Sequence, residues 1–205
     1  MSKLYTIGIT GGTGAGKTSA LRALETLGVL VLDCDAIYHE LLSDNVQLKS
    51  ELEARFTGVL CDGAIDRKKL GEIVFRDELA LDDLNAITHK YVGAELAQRI
   101  DKWNEQGGTV VAIDAIALLE SGRNKSCDVV IGVTAPVEKR IHRIMIRDGI
   151  TREQAEMRIN AQKPDSFYEK NCDIILEGIY DTVAEFEDKC KEVFAELLGG
   201  KVNAK

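Results

Sequence analysis

Eight consecutive residues constrain this chain more than any others. Gly11-Gly12-Thr13-Gly14-Ala15-Gly16-Lys17-Thr18 satisfies G-x-x-x-x-G-K-[ST] at every defined position. Glycines let the backbone turn so that successive N–H groups converge on an anion. The flanks have the order such a loop needs. Leu4–Thr10 is a short apolar run that reads as a buried strand. Ala20, Leu21, Ala23, Leu24 and Leu27 then recur at helical spacing, predicting a helix over Thr18–Leu27 that stops at Gly28. A helix starting there points the positive end of its dipole at the anion. Lys17 is placed to bridge the β- and γ-phosphates of a nucleotide, and the Thr18 hydroxyl to ligate Mg²⁺. Gly12, Thr13, Gly14, Ala15, Gly16 and Ser19 complete the expected phosphate-binding set, with ATP as the ligand and Mg²⁺ as its cation.

Two other readings of the same stretch are weighed. Gly8-x-x-x-Gly12-x-Gly14 resembles a dinucleotide-binding turn, with Asp33 where a ribose-binding acid would sit. That reading leaves Lys17-Thr18 without a role, and no tyrosine in the chain has lysine four residues on. A GTPase-type switch would use Asn-Lys-x-Asp to meet guanine. Here Asn124-Lys125-Ser126-Cys127 has its aspartate, Asp128, one residue late.

Beyond the loop, Val29–Leu32 reads as a second strand, giving a βαβ unit and a parallel sheet. From Ala36 to about Gln106 strand signals fade. Helical stripes (Ile37, Leu41, Leu42; Leu48, Leu52, Phe56; Arg67–Phe75; Leu79–Trp103) predict a helical insert over 36–106, punctuated by the turn Cys61-Asp62-Gly63. The core is expected from 1–35 and 107–205. It continues with strands at Thr109–Ile113, Val129–Val133 and Ile174–Leu176 and helices at Val137–Arg147, Arg152–Gln162 and Thr182–Leu198. The fold class is therefore α/β, of the three-layer, parallel-sheet kind that phosphate loops occupy, with a helical insert.

Composition narrows the partners. The 205 residues carry a formal charge of −8, which disfavours nucleic acid and requires any cations that hold an anionic ligand to be gathered locally. The five cysteines are widely spaced with no C-x-x-C pair, which predicts free thiols rather than a zinc site. The start Met1-Ser2-Lys3 carries no leader pattern, and no apolar run approaches membrane-spanning length. A cytoplasmic protein, a monomer or weak homo-oligomer with no membrane partner, is the expectation.

Asp33 and Asp35 follow the second strand. Separated by one residue, they would face one side of an extended strand, one as base for a phosphoryl acceptor's hydroxyl and the other held toward Mg²⁺. The alternative is a plain turn or helix N-cap. Val110–Ile113 ends in Asp114, the usual form of a second Mg²⁺-associated acid, which acts directly, through water, or only as a strand cap. Arg140, Arg143 and Arg147 share one helical face, either gripping phosphates or lying as a solvated face beside Glu138 and Asp148. His39, His89 and His142 have no metal-ligand spacing, and Trp103 reads as packing.

Taken in order, these residues resemble the dephospho-coenzyme A kinase family over most of the chain. The resemblance rests on Ile9-Thr10-Gly11-Gly12 running into Gly14–Thr18, Asp33-Cys34-Asp35, Ile65-Asp66-Arg67 with Leu70 and Phe75, and Leu84-Asn85 with His89. It extends through Asp114 with Leu118-Leu119-Glu120, the basic helix 140–148, and Ala155, Arg158-Ile159 and Gln162. The chain departs from the family pattern at Lys90, at Ile116-Ala117 and around Glu177-Gly178. The resemblance implies a core, a helical substrate domain and a lid near 140–165. It implies transfer of phosphate from ATP to the ribose 3′-hydroxyl of dephospho-CoA, or to the acceptor of a related nucleoside or nucleotide kinase. By position it implies Asp35 as general base, Lys17 as phosphate lysine and Arg143 as lid arginine, with Arg140 and Arg147 on the nucleotide. His39, Arg67, His89 and Glu120 fall on the substrate side beside Asp33.

Overall fold

The computed structural model describes residues 4–199. The elements run β1 (Tyr5–Gly11), α1 (Lys17–Thr26), β2 (Leu30–Asp33), α2 (Cys34–Asp44), α3 (Val46–Arg55), β3 (Leu60–Cys61), β4 (Ala64–Ile65), α4 (Arg67–Val74) and α5 (Glu78–Glu105). They continue with β5 (Val110–Asp114), β6 (Val129–Thr134), α6 (Val137–Asp148), α7 (Arg152–Asn160), α8 (Asp165–Asn171), β7 (Ile174–Glu177) and α9 (Val183–Leu198). The chain divides into two compact units: one formed by the residues up to Leu32 together with those from Trp103 onward, the other by Asp33–Lys102.

The first unit is built on a five-stranded sheet of order β2-β5-β1-β6-β7, in which β1 pairs parallel with β5 and β6, and β6 with β7. Strand alternation assigns the faces. Ile7 and Ile9 of β1, Val110 and Ala112 of β5, and Val129, Ile131 and Val133 of β6 join one core with Ala20, Ala23 and Leu24 of α1 and Phe186, Cys190, Phe194 and Leu198 of α9. Between Ile7 and Ile9 on β1, and between Ile131 and Val133 on β6, stands a glycine because neighbours press close. A Cβ on Gly8 would crowd Leu118 and Cys127, and one on Gly132 would crowd Ile175 and Cys172. The Trp103 indole donates to the Val110 carbonyl at 2.9 Å and occupies the space a side chain at Gly108 would need. Ile141 and Ile144 of α6 and Ala155 and Ile159 of α7 form a small separate core.

The second unit holds more than helices. Cys61-Asp62-Gly63, expected as mere punctuation, is the tip of a hairpin pairing β3 with β4, with Asp62 and Gly63 both at positive φ (48° and 78°). Such a two-residue tip matches the twist of the strands it joins. The Glu53 carboxylate accepts from Gly58 N–H and Leu60 N–H, each at 2.7 Å, and so fixes the hairpin's approach. These bonds hold Glu53 below the usual carboxylate range. Leu48, Leu52, Phe56 and Val59 fill the space beneath. The unit's edges fall at Asp33 and Lys102 rather than at the expected 36 and 106, because Asp33 already caps α2 while Trp103 packs on β5.

All five cysteines are free. Burial, foremost, pushes the thiols of Cys127 and Cys172 up to about 11 and that of Cys190 up to about 12. A thiol near 11 is roughly 0.1% thiolate at pH 8, and the thiolate is the nucleophile. Cys34 is buried and Cys61 is exposed. Iodoacetamide at pH 8 should therefore modify Cys61 first, with the other sites slower by about tenfold or more. Peptide mapping of the first adduct checks this, and early labelling of Cys127, Cys172 or Cys190 would contradict it.

Candidate active site

The cleft of the first unit starts where β1 and β5 end. It has a volume of about 560 Å³ and is lined by Gly11–Gly14, Gly16–Ser19 and Asp114. Gly11, at φ +148°, leaves β1 so close to β6 that a Cβ would overlap the Val133 carbonyl. Gly14 and Gly16 also take positive φ, +75° and +116°. Gly16 then hands the chain to α1 in a left-handed conformation with no side-chain cap. By contrast α2, α3, α4, α7 and α9 start under a side-chain cap, from Asp33, Asn45, Asp66, Thr151 and Thr182, while α6 and α8, also uncapped, follow the prolines Pro136 and Pro164 and do not begin at the cleft's glycine loop. The first amides of an uncapped helix call for an acceptor from outside the chain.

Lys17, in the first turn of α1, donates to Asp114 Oδ1 at 2.6 Å. Both side chains are largely buried, at 17% and 10% exposure, so this ion pair is shielded from water. Thr18 is exposed on the same wall. Its hydroxyl and the Asp114 carboxylate are hard oxygen donors. Among the described residues no group of three or more His, Cys, Asp or Glu could cage a metal. Two oxygen donors without a cage suit Mg²⁺, which keeps waters and shares ligands with phosphate.

The α6 arginines occupy three different settings. Arg147 is exposed, makes a two-pronged bond to Asp148 (2.7 and 2.9 Å) and reaches Thr13 Oγ1 at 3.4 Å. Arg143 lines the cleft and donates to four carbonyls, those of Gly14, Ala15, Gly178 and Tyr180, at 2.9–3.3 Å. Burial lowers its pKa, and the carbonyls solvate the cation in place of water. Arg140, expected on the nucleotide, is 2% exposed and does not line the cleft. Its guanidinium is spent on Thr13, Asp165 and Gln162. Ala15 is likewise buried beneath the loop surface.

Several lining residues are not marked as site residues by motif or spacing, although Gln162 is among those that carry the family resemblance. Gln162 accepts the Thr13 N–H at 2.7 Å. Phe186 presses on Gly16, where a Cβ would meet its ring, and stacks on Tyr180 with ring centroids 5.9 Å apart. Helical periodicity marks Phe186 as core, which it also is. Ile116, His142, Ile146, Asp181, Thr182 and Val183 complete the lining. Glu120 is exposed and outside it.

The remaining candidates belong to the second unit. Asp33 and Asp35 do not share a face of an extended strand, because helix begins at once. Asp33 Oδ1 accepts from Asp35 N–H (2.8 Å) and Ala36 N–H (2.9 Å), making it the N-cap of α2. Asp35 sits exposed in the first turn of that helix. His39 is exposed one turn on, its ring 5.8 Å from that of Tyr38. Arg67 opens α4, and its charge opposes the burial that raises the Tyr38 pKa. His89 lies exposed on α5.

Comparison with known proteins bears on this site directly. Residues 5–181 match the family model described as dephospho-CoA kinase. The dephospho-CoA kinase of Thermobifida fusca is 37% identical over 193 residues, covering 93% of this chain and 95% of that protein. The crystal structure of TT1252 from Thermus thermophilus superposes with a TM-score of 0.81 at 30% identity, covering 96% of this chain and 99% of that one. Dephospho-CoA kinase from Campylobacter jejuni gives a TM-score of 0.69 at 26% identity over 95% and 98% of the two chains. The likeness runs along nearly the full length of these proteins, and the chain belongs to the dephospho-CoA kinase family.

Proposed function

We propose that this enzyme transfers the γ-phosphoryl group of ATP to the ribose 3′-hydroxyl of dephospho-CoA, giving ADP and coenzyme A. The observation that carries the reading is the cleft at Gly11–Ser19, with an uncapped helix start and the Lys17–Asp114 pair, in a member of this family.

Phosphoryl transfer asks the protein mainly for positioning and charge neutralisation. Loop amides and the α1 N-terminus receive the phosphates. Lys17 leaves Asp114 for the β- and γ-oxygens, and Arg143 adds positive charge at the loop's outer edge. Thr18 and Asp114 are the groups to hold Mg²⁺, which when bound neutralises charge on the phosphate oxygens. Asp35 serves as the base that orients the acceptor hydroxyl. The structure of α2 supports this division of labour, since the Asp33 carboxylate is committed to the cap, whereas Asp35 gives the cap only its N–H and leaves its carboxylate outside it. Asp33, His39, Arg67, His89 and Glu120 are assigned to the acceptor side. Residues 140–165 act as a lid that keeps water from the γ-phosphate. Among the described residues no helix is long and apolar enough to cross a membrane.

Purified protein with Mg-ATP should release ADP only slowly until dephospho-CoA is added, and the new product should be coenzyme A. ADP release indifferent to dephospho-CoA would reject this acceptor and direct the search to nucleosides. Asp35→Asn should lower kcat by on the order of 10²-fold while ADP still binds. Turnover equal to wild type would remove Asp35 from the reaction. Lys17→Ala should weaken nucleotide binding and abolish most turnover, checked by calorimetry with ADP beside steady-state kinetics.

A further inference from the structure

Both backbone polar groups of Thr13 are held from one side. Its N–H donates to Gln162 Oε1 at 2.7 Å, and its carbonyl accepts from Arg140 Nε at 2.9 Å. Arg140 Nη2 closes the ring on the same Gln162 oxygen at 3.4 Å, while Nη1 pairs with Asp165 at 3.0 Å. The guanidinium fits because Gly12 has no side chain, since a Cβ there would overlap Nη2. At 2% exposure, Arg140 cannot be reached by a ligand in the cleft.

Peptide planarity turns these bonds into a constraint on the loop. In a trans peptide the C=O and N–H point opposite ways, and no cis bond occurs among the described residues. Holding the Thr13 carbonyl toward α6 therefore aims the Gly14 N–H away from α6. Holding the Thr13 N–H toward Gln162 aims the Gly12 carbonyl the other way, where it accepts the Ala15 N–H at 3.2 Å. Two consecutive peptide planes are fixed, and with them the turn that leads into the phosphate cradle.

We propose that Arg140 is a positioning residue for phosphoryl transfer: through Gln162 and the Thr13 backbone it presets the loop's amides for the nucleotide's phosphates without touching them. Amides aimed in advance need no reorganisation when charge moves onto the phosphate oxygens. A planar fork that serves Thr13, Gln162 and Asp165 at once cannot be reproduced by a point-charge ammonium. The inference rests on the nucleotide-binding reading above.

The test compares wild type, Arg140→Lys, Arg140→Met and Gln162→Leu for ADP and adenosine affinity, for the KM of ATP and of dephospho-CoA, and for Tm. The expectation for Arg140→Met and Gln162→Leu is a fall in ADP affinity and in kcat/KM for ATP of roughly 10–100-fold, with Arg140→Lys intermediate. Adenosine affinity and the KM of dephospho-CoA should stay within about twofold, since neither ligand part relies on those amides. If Arg140→Met does not fold, Gln162→Leu carries the test alone, because its side chain lines the cleft and leaves the Arg140–Asp165 pair intact. A lower Tm with unchanged ADP affinity and unchanged kcat/KM for ATP would make Arg140 a scaffold residue and overturn the proposal. Equal loss for ADP and adenosine would overturn it too. Failure of the wild type itself to bind ADP would overturn the nucleotide reading and this inference with it.

Discussion

The way β1 gives over to α1 governs the rest of the molecule. A helix that begins without a side-chain cap leaves its first amides needing an acceptor, and three glycines at positive φ are what allow the chain to arrive there. Every neighbour is arranged around that deficit. β6 crowds Gly11 from behind, Phe186 closes on Gly16, and α6 approaches Gly12 and Gly14. At Gly11 and Gly14 a Cβ would meet backbone, at Gly16 the Phe186 ring and at Gly12 the Arg140 guanidinium, so the loop is confined by contact as well as freed by its composition.

The site also reconciles an acidic protein with an anionic ligand. The overall charge is −8, yet one helix brings Arg143 to the cleft with carbonyl partners rather than a carboxylate. Its charge is therefore solvated without being cancelled. Arg147 shares the single carboxylate of Asp148 with Arg158, and the two arginines hold that carboxyl below the usual carboxylate range. Arg140 is matched by Asp165. Of the three arginines, Arg143 brings its full charge to the cleft and Arg147 a partly offset one, and Lys17 adds another that stays paired with Asp114 until displaced.

The parallel core is legible because β1, β2 and β5 are apolar runs ended by glycine or aspartate and α1, α6 and α9 carry apolar residues at helical spacing. The α8 helix escaped because seven residues give too little period to read, and β3 and β4 because two residues each give none. At Asp33 the error was one of conformation. The reading of two carboxylates on one strand face required extended backbone at Cys34, but the residue that ends β2 is already the cap of α2. Spacing sets Arg140, Arg143 and Arg147 on one face of a helix but is silent about depth. It does not tell the buried Arg140 from the exposed Arg147 about two turns along the same helix. Phe186 joins the site through tertiary packing, which an aromatic within a helix does not announce, and the resemblance that includes Gln162 says nothing of its bond to the Thr13 N–H.

The guanidinium of Arg140 and the missing side chain of Gly12 fill the same space. Their tolerances to change are therefore coupled: a methyl group at Gly12 collides only while a long side chain stands at 140, and a shorter residue at 140 leaves a hole only while Gly12 remains bare. Across relatives that share this loop, the two positions should drift as a pair, each fixing which substitutions the other can accept. The order in which such changes arise then matters, because the intermediate with both groups present has no room for them.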